Sequence, residues 1–229
     1  MTEIAALITA RKNSKRVPGK NMKHLWDEPL ISHTFKAALG SKLIGKIFLT
    51  TDDHQIIEYA AKFPGIEVPF IRPSELAEDN STDIEVFNHA LNFFKMHDYK
   101  PEILVHLRPT SPLRTSTHID SAIKLMLANP DATSVRSVRK IDHSIFKLYF
   151  LREKFLEFLD ANDISNARDM PNQILPETYA HIGYVDIVKA STILELKSMT
   201  GNKIMPFIIN NGEPGINYLK DFDYYESLK

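Results

Sequence analysis

Short apolar, β-branched runs alternate with longer amphipathic segments through the first half of the chain. Three of the short runs are predicted as buried strands, at residues 4–9, 46–50 and 103–107. Three of the longer segments place apolar residues three and four apart, as amphipathic helices do, at residues 30–39, 55–63 and 84–95. Strand–helix–strand order of this kind predicts βαβ units, and therefore an α/β fold whose mainly parallel sheet is covered by helices on both faces.

The second half of the chain departs from this order. A helix is predicted after an N-cap at Thr115 or Ser116, and a strand within residues 132–138. Residues 145–159 then alternate aromatic and charged side chains, which is typical of a hairpin or a protruding arm. Two interpretations stay open: an ordinary insertion, or a dimerisation arm that brings residues into a neighbour's site. The remaining predicted elements are a strand at 179–188, a helix to 196, a strand at 204–209 and a final helix from 221.

Size and charge restrict the class of protein. The 229 residues suit a single α/β domain spanning 1–229, in which about 140–180 form an insertion with the arm. With 28 Lys and Arg against 29 Asp and Glu, no overall positive field would draw the chain to nucleic acid or an anionic membrane. The absence of cysteine excludes disulfides, thiolate metal sites and cysteine nucleophiles. With no signal-like start and no run approaching about 20 apolar residues, we expect a cytoplasmic protein.

A basic loop follows the first predicted strand directly. Residues 10–21, ARKNSKRVPGKN, hold five basic side chains among small and turn-forming residues. Ligands bind at the carboxyl ends of parallel strands, and backbone amides with Arg and Lys side chains suit a triphosphate. The loop lacks the glycine patterns of a Walker loop and of a dinucleotide-binding fingerprint. This argues against a P-loop kinase and against a dehydrogenase. Charge alone leaves a solvated basic loop as the alternative.

Four sequence blocks in order resemble the acylneuraminate cytidylyltransferase (CMP-sialic acid synthetase) family. They are ITARKNSKRVPGKN at 8–21, TTDD at 50–53, RPSELA at 72–77 and HLRPTSPLR at 106–114. A weaker block at 171–176, PNQILP, has Asn172 where the family carries Arg. The resemblance implies a Rossmann-like three-layer nucleotidyltransferase fold, with residues of about 140–180 on the sugar side.

The resemblance also implies roles for residues around a nucleotide. Three cations are expected to stabilise charge on the phosphates, with Lys20 nearest the α-phosphate: Lys20, Arg11 and Arg16. Four further residues are predicted to bind the nucleotide: Ser14, Asn21, Arg72 and Asp83. The alternative for Asp83 is a favourable charge at a helix N-terminus.

A second set is predicted to bind an acidic sugar. These residues are Arg108, Ser111, Gln173, Tyr179 and His181. Arg108 stands where many relatives carry Gln, and its guanidinium suits a carboxylate, although it would equally suit a phosphate. His181 stands where relatives carry Asn, and a lone strand histidine is more often structural than catalytic.

The metal site is where this chain departs most from the family. Relatives show an I-D-I-D pattern whose carboxylates bind Mg²⁺, whereas Asn217 and Leu219 stand at those aspartate positions here. Asn217, Asp221 and Asp223 are the candidate ligands for a Mg²⁺ cofactor. The alternative for the two aspartates is a capping charge in the first turn of the last helix.

Together these features predict a homodimeric cytidylyltransferase that transfers CMP from CTP to the anomeric hydroxyl of a sialic-type 2-keto sugar acid and releases pyrophosphate. Three alternatives remain: another acceptor, such as an octulosonate or a phosphonate; another nucleoside triphosphate; or a non-catalytic nucleotide- or sugar-binding protein.

Overall fold

The computed structural model describes residues 2–159 and 167–228, which fold around a seven-stranded mixed sheet. The strands are β1 (Ile4–Thr9), β2 (His24–Leu25), β3 (Glu28–Pro29), β4 (Lys46–Thr50), β5 (Ile66–Glu67), β6 (Ile103–Leu107), β7 (Ser134–Ile141), β8 (Tyr149–Arg152), β9 (Phe155–Phe158), β10 (Thr178–Lys189) and β11 (Ile204–Ile208). The helices are α1 (Leu30–Leu39), α2 (His54–Ala60), α3 (Asp83–Met96), α4 (Ser116–Ala128), α5 (Ala190–Leu194) and α6 (Leu219–Glu226). The order across the main sheet is β11-β7-β10-β6-β1-β4-β5.

Strand β1 lies in the middle of the sheet and pairs in parallel with β4 on one side and β6 on the other. Strand β10 is antiparallel to both β6 and β7, whereas β11 pairs in parallel with β7, so β10 is the strand that interrupts the predicted parallel order. The carboxyl ends of β1, β4 and β6 therefore meet at one edge of the sheet. Chain segments leaving these three strands begin within reach of one another there.

Helices cover both faces of the sheet, as predicted. On one face, α1 and α4 contribute Phe35 and Ile123 to a large buried cluster. On the other face, α3 and α5 contribute Phe94 and Ile193, and the Phe94 ring lies 4.4 Å from that of Phe48 on β4. This is the three-layer α/β arrangement that the alternating pattern predicts, and the predicted fold class is confirmed.

Several element boundaries differ from the predictions for local reasons. The second helix ends at Ala60, three residues early, because 61–64 form tight turns. Thr115 is the N-cap of α4, since its hydroxyl accepts from the amide of His118. The last helix begins at Leu219, two residues before the predicted start, with Asp221 already inside its first turn.

The segment predicted as a hairpin or arm contains the antiparallel pair β8 and β9. Its apolar side chains face solvent: Leu151 is 73% exposed and Phe155 65% exposed. Residues 160–166 of the insertion predicted over about 140–180 lie outside the described part of the chain. Within the described ranges, no helix combines the length and apolar character needed to cross a bilayer.

Candidate functional site

A polar cavity of ≈ 290 Å³ opens at the carboxyl ends of β1 and β6. Seven residues singled out in the sequence line it: Arg11, Ser14, Lys20, Asn21, Arg72, Asp83 and Arg108. They come from the basic loop after β1, the segment before α3, the first turn of α3 and the segment after β6. The topology thus brings together four segments that are up to 97 residues apart, at the edge where α/β sheets place ligands.

Lys20 reaches the cavity from a short 3₁₀ turn, Lys20–Met22. Gly19 precedes it with φ 64°, a left-handed conformation that glycine adopts without strain and that reverses the loop. The Lys20 Nζ donates a 3.0 Å hydrogen bond to the carbonyl of Ile216. Burial lowers the pKa of Lys20, and the charges of Arg16 and Arg11 add to this effect. Because these like charges repel, an anion bound among them would be stabilised.

The other cations of the loop occupy different settings. Arg11 donates 2.7 Å to the carbonyl of Glu78 and forms an ion pair of 3.1 Å with Asp79, which Lys15 also contacts at 2.5 Å. Arg16 does not line the cavity, and its guanidinium lies 5.1 Å from the centre of the Tyr218 ring. Arg11 is therefore placed to meet an anion directly, whereas Arg16 acts at longer range.

Asn21 and Arg72 brace the walls of the cavity. The buried Asn21 amide donates 3.0 Å to the carbonyl of Arg11 and so fixes the loop backbone. Arg72 donates to the carbonyl and hydroxyl of Thr50 at 2.7 and 3.1 Å. Burial lowers the pKa of Arg72 to about 10, and the guanidinium remains a cation at neutral pH. Both side chains tie the ligand-facing segments to the ends of β1 and β4.

Arg108 lies between two carboxylates at the floor of the cavity. Its Nη2 is 2.7 Å from Asp83 and its Nη1 is 2.6 Å from Asp186. Asp83 is therefore an ion-pair partner of Arg108 as well as a residue of the first turn of α3. Burial alone would raise the pKa of Asp83, but the charge of Arg108 and the hydrogen bond from its guanidinium lower it. Two of the five N–H donors of the Arg108 guanidinium are therefore used by these carboxylates, and the others remain for a ligand.

Asp186, a residue that sequence reasoning missed, is the centre of this network. Its carboxylate is 4% exposed and binds Arg108, Arg136 at 2.7 Å and His181 at 2.8 Å. Burial alone would raise its pKa, but the hydrogen bond from His181 and the charges of Arg108 and Arg136 lower it. An aspartate in an apolar strand, VDIV, next to a predicted site histidine was the signal available in the sequence.

Two further buried residues that were not singled out support the site. Arg114 is fully enclosed and donates to the carbonyls of Arg108 and Tyr184 at 3.0 and 2.8 Å, and burial lowers its pKa to about 9. His106 donates to or accepts from the hydroxyl of Thr9 at 2.9 Å, and burial lowers its pKa to about 3. Arg114 fixes the backbone of Arg108, and His106 stays neutral beneath Asp83.

Three of the predicted sugar residues lie away from the cavity. Ser111 is buried, and its hydroxyl donates to the carbonyl of Gly183 at 3.3 Å. Gln173 lines a separate cavity of ≈ 260 Å³ near the base of the hairpin. The Tyr179 hydroxyl donates to Glu177 at 2.7 Å at the surface. Of the five predicted sugar residues, Arg108 lines the cavity described above, and His181 contacts Asp186, the partner of Arg108.

The candidate metal ligands belong to the loop that Lys20 contacts and to the start of α6. One oxygen of Asp221 accepts from the backbone amides of Asn217 and Tyr218 at 2.6 and 2.8 Å, and the Asn217 amide donates to the carbonyl of Gly215. Within the described ranges, no three histidine, aspartate or glutamate side chains are grouped to hold a metal ion. These residues do not fit a protein-built Mg²⁺ cage, and Asp221 is engaged as a helix cap.

Comparison with known proteins places this geometry in a family. Residues 5–197 match the family model described as cytidylyltransferase. The chain belongs to the cytidylyltransferase family. The N-acylneuraminate cytidylyltransferase of Escherichia coli O18:K1:H7 is 42% identical over 125 residues, which are 54% of this chain and only 28% of the relative. The CMP-N,N'-diacetyllegionaminic acid synthase of Legionella pneumophila is 30% identical over 96% of this chain and 93% of the relative.

A solved structure shows the cytidylyltransferase fold as well. The CMP:2-keto-3-deoxy-manno-octonic acid synthetase in complex with CTP superposes with a TM-score of 0.72, covering 99% of this chain and 98% of that one. The sequence identity of 14% supports a shared fold only. The relatives named above agree with the resemblance that the four sequence blocks indicate.

The cap assignment of Asp221 in this cytidylyltransferase yields a stability prediction. We expect Asp221→Ala to lower stability by about 0.5–2 kcal/mol, because two amide donors at the start of α6 lose their acceptor. Asp221→Asn keeps an acceptor oxygen and should stay close to wild type. Asp223→Ala, at an exposed position two residues on, is the matched control. Urea unfolding gives the free energy of unfolding of all three variants. An equal loss of stability in Asp221→Ala and Asp221→Asn would contradict the cap assignment.

Proposed function

We propose that this cytidylyltransferase transfers CMP from CTP to the anomeric hydroxyl of a sialic-type 2-keto sugar acid and releases pyrophosphate. The observation that supports this most is the convergence of Arg11, Lys20, Arg72 and Arg108 on one cavity at the carboxyl end of β1. Nucleotidyl transfer needs a positioned triphosphate and neutralisation of the charge that develops as pyrophosphate leaves.

The proposed roles of the residues follow from their surroundings. Lys20, which has one described hydrogen bond and a lowered pKa, stabilises charge at the α-phosphate. Arg11 exchanges its exposed pair with Asp79 for phosphate oxygens, which costs little because exposed ion pairs are weak. Arg16 adds positive potential from beside Tyr218. Arg72 and Asn21 hold the walls against which the nucleotide lies.

The acceptor is proposed to enter from the side of Arg108 and the hairpin. Arg108 keeps donors that are free of Asp83 and Asp186, and these suit the carboxylate of a 2-keto sugar acid. Gln173 and Glu177 line the second cavity, and the Tyr179 hydroxyl donates to Glu177, so these residues are proposed to contact only a part of the acceptor that extends beyond Arg108. Ser111 contributes by holding the backbone of Gly183.

A homodimer in the cytoplasm is also proposed. Exposed apolar side chains on β8 and β9, including Leu151 and Phe155, are favourable to cover with a second copy of the chain. Sedimentation velocity tests this, and a species at the 26.2 kDa of one chain would contradict it. The absence of cysteine is compatible with a reducing cytoplasm.

Mg²⁺ is proposed only as a counter-ion that arrives with the triphosphate. The described residues offer no preformed cage, so the charge-stabilising steps are assigned to the side chains of this chain. Titration of Mg²⁺ against protein without nucleotide should show no tight binding by calorimetry.

Pyrophosphate release tests the proposed reaction. Purified protein, CTP and Mg²⁺ are incubated with N-acetylneuraminate, legionaminate, pseudaminate, a 3-deoxy-octulosonate or a phosphonate, and the nucleotide-sugar is identified by mass spectrometry. We expect release with a nonulosonate and CTP, and none when acceptor is omitted or ATP or UTP replaces CTP. Release with the octulosonate or phosphonate alone would overturn the acceptor class. Silence with every acceptor, with CTP still raising Tm, would favour a binding protein.

A further inference from the structure

Strand β10 contains an irregularity that brings two distant residues together. His181 pairs with Val138 of β7, and Asp186 pairs with Arg136. The two β10 residues are therefore five positions apart, whereas their partners on β7 are only two positions apart. In a regular strand, residues five apart point to opposite faces and lie about 17 Å apart. The bulge instead places Nε2 of His181 2.8 Å from Oδ2 and 2.9 Å from Oδ1 of Asp186.

The partner of Nε2 fixes the state of the imidazole. Asp186 is ionised, since its two guanidinium partners and the histidine lower its pKa, and an ionised carboxylate only accepts hydrogen bonds. Nε2 must therefore carry the proton. In the neutral ring, Nδ1 is then an acceptor with a lone pair, on a side chain that is 45% exposed.

The same carboxylate oxygen holds His181 beside Arg108. Oδ2 of Asp186 lies 2.6 Å from Nη1 of Arg108 and 2.8 Å from Nε2 of His181. Gly183, with φ 68°, fits between them: a Cβ there would lie 3.6 Å from Nη1 of Arg108 and 3.9 Å from Cε1 of His181. A guanidinium that lines the cavity and the imidazole of His181 are thus joined through one carboxylate oxygen and both lie next to Gly183.

We infer that His181 is the general base of the reaction, accepting the proton of the acceptor hydroxyl while Arg108 binds the acceptor carboxylate. This inference rests on the proposed function. In a 2-keto sugar acid the carboxylate and the anomeric hydroxyl are attached to the same carbon atom. The two protein groups that share one oxygen of Asp186 match that substituent pair in chemistry, a guanidinium for the carboxylate and an imidazole for the hydroxyl proton.

The proton and electron balance is simple. The hydroxyl oxygen forms a bond to the α-phosphorus as its proton passes to Nδ1 of His181. The bond from the α-phosphorus to the bridging oxygen breaks, and pyrophosphate leaves with that electron pair. The imidazolium then returns the proton to solvent through its exposed edge. General-base assistance of this kind contributes about 10²–10⁴-fold in rate.

Charge in the surrounding cluster favours this transfer. Two carboxylates, Asp83 and Asp186, face two guanidiniums, Arg108 and Arg136, and the buried guanidinium of Arg114 lies against the backbone of Arg108. The acceptor adds one negative charge. Asp186, whose carboxylate accepts from Nε2 of His181, stabilises the imidazolium that forms during the attack.

Two variants at one position test the inference. His181→Ala and His181→Gln are compared with wild type and with His97→Ala, whose imidazole contacts the carbonyl of Phe93 at the end of α3. We expect both His181 variants to lose at least about 10²-fold in kcat with unchanged CTP affinity, and His97→Ala to match wild type. Added imidazole should restore part of the activity of His181→Ala alone.

The outcomes separate the inference from the function on which it rests. The base assignment is overturned if wild type is active and His181→Gln keeps more than a third of that activity. The proposed function would then still stand. Loss of activity in His181→Ala without recovery at any imidazole concentration would also overturn the base assignment. A wild type that releases no pyrophosphate with any acceptor overturns both.

Discussion

Replacing Lys20 with methionine should lower kcat by about 10²–10³-fold, the effect expected when one preorganised charge-stabilising donor is lost. The variant keeps most of the side-chain volume and removes only the ammonium group. Because the described hydrogen bond of Nζ is a single 3.0 Å contact with the carbonyl of Ile216, the fold should tolerate the change. The measurement is steady-state pyrophosphate release with CTP and the best acceptor, with Tm recorded in parallel.

Lys15→Met is the matched control for this experiment. Lys15 lies on the same loop, is 76% exposed and pairs with Asp79 at the surface. We expect its kcat to stay within about threefold of wild type, since a screened surface charge contributes little. Equal losses in the two variants would assign the effect to the overall charge of the loop and contradict a specific role for Lys20. A loss confined to KM for CTP would assign Lys20 to ground-state binding instead.

The central sheet was largely predictable because its strands carry strong local signals. Strands β1, β4 and β6 coincide with the apolar runs at 4–9, 46–50 and 103–107, and the helices that lie between successive strands of this set favour a parallel arrangement. The antiparallel placement of β10 between β6 and β7 was not predictable in this way. It depends on pairing between residues 80–86 apart with β6 and 37–54 apart with β7, on which hydrophobic periodicity gives no information.

The convergence of the loop residues on one cavity was predictable for the same topological reason. Once β1 and β6 are adjacent and parallel, the segments after Thr9 and Leu107 must meet, and seven of the residues named from the sequence line one cavity. Arg16 was the exception within the loop. Its guanidinium lies over Tyr218, a residue about 200 positions away whose proximity only the folded chain reveals.

The acceptor side could not be predicted to the same depth. The His181–Asp186 contact depends on a bulge in β10, and a regular strand would have pointed the two side chains to opposite faces. Asp221 was predicted both as a metal ligand and as a helix charge, and only its two amide donors show which contact it makes. In each case the deciding fact is a side-chain direction.

Asp186→Asn should be among the most destabilising single changes in the described chain. The substitution keeps the shape of the side chain but removes the charge that Arg108 and Arg136 share inside the protein. Loss of one partner of a buried ion pair costs about 3–5 kcal/mol, and we expect about 3 kcal/mol because Arg108 keeps Asp83. For a domain of this size, that lowers Tm by about 6–12 °C.

Asp79→Asn provides the control, since Asp79 also binds two cations, Arg11 and Lys15, but at the surface. Its Tm should be indistinguishable from that of wild type, because solvent screens exposed pairs.

The pH dependence of the stability gives a second test of the Asp186 network. The folded-state pKa of Asp186 is lowered below its ordinary 3.8, so its contribution is present above that pH and is lost as the pH falls below it. The difference between wild type and Asp186→Asn in urea unfolding should therefore be constant from about pH 8 to 5 and narrow below about pH 4. Equal Tm values for wild type and Asp186→Asn at pH 7 would show that burial of this network adds no net stability, and would remove the rigid support on which the His181 assignment depends.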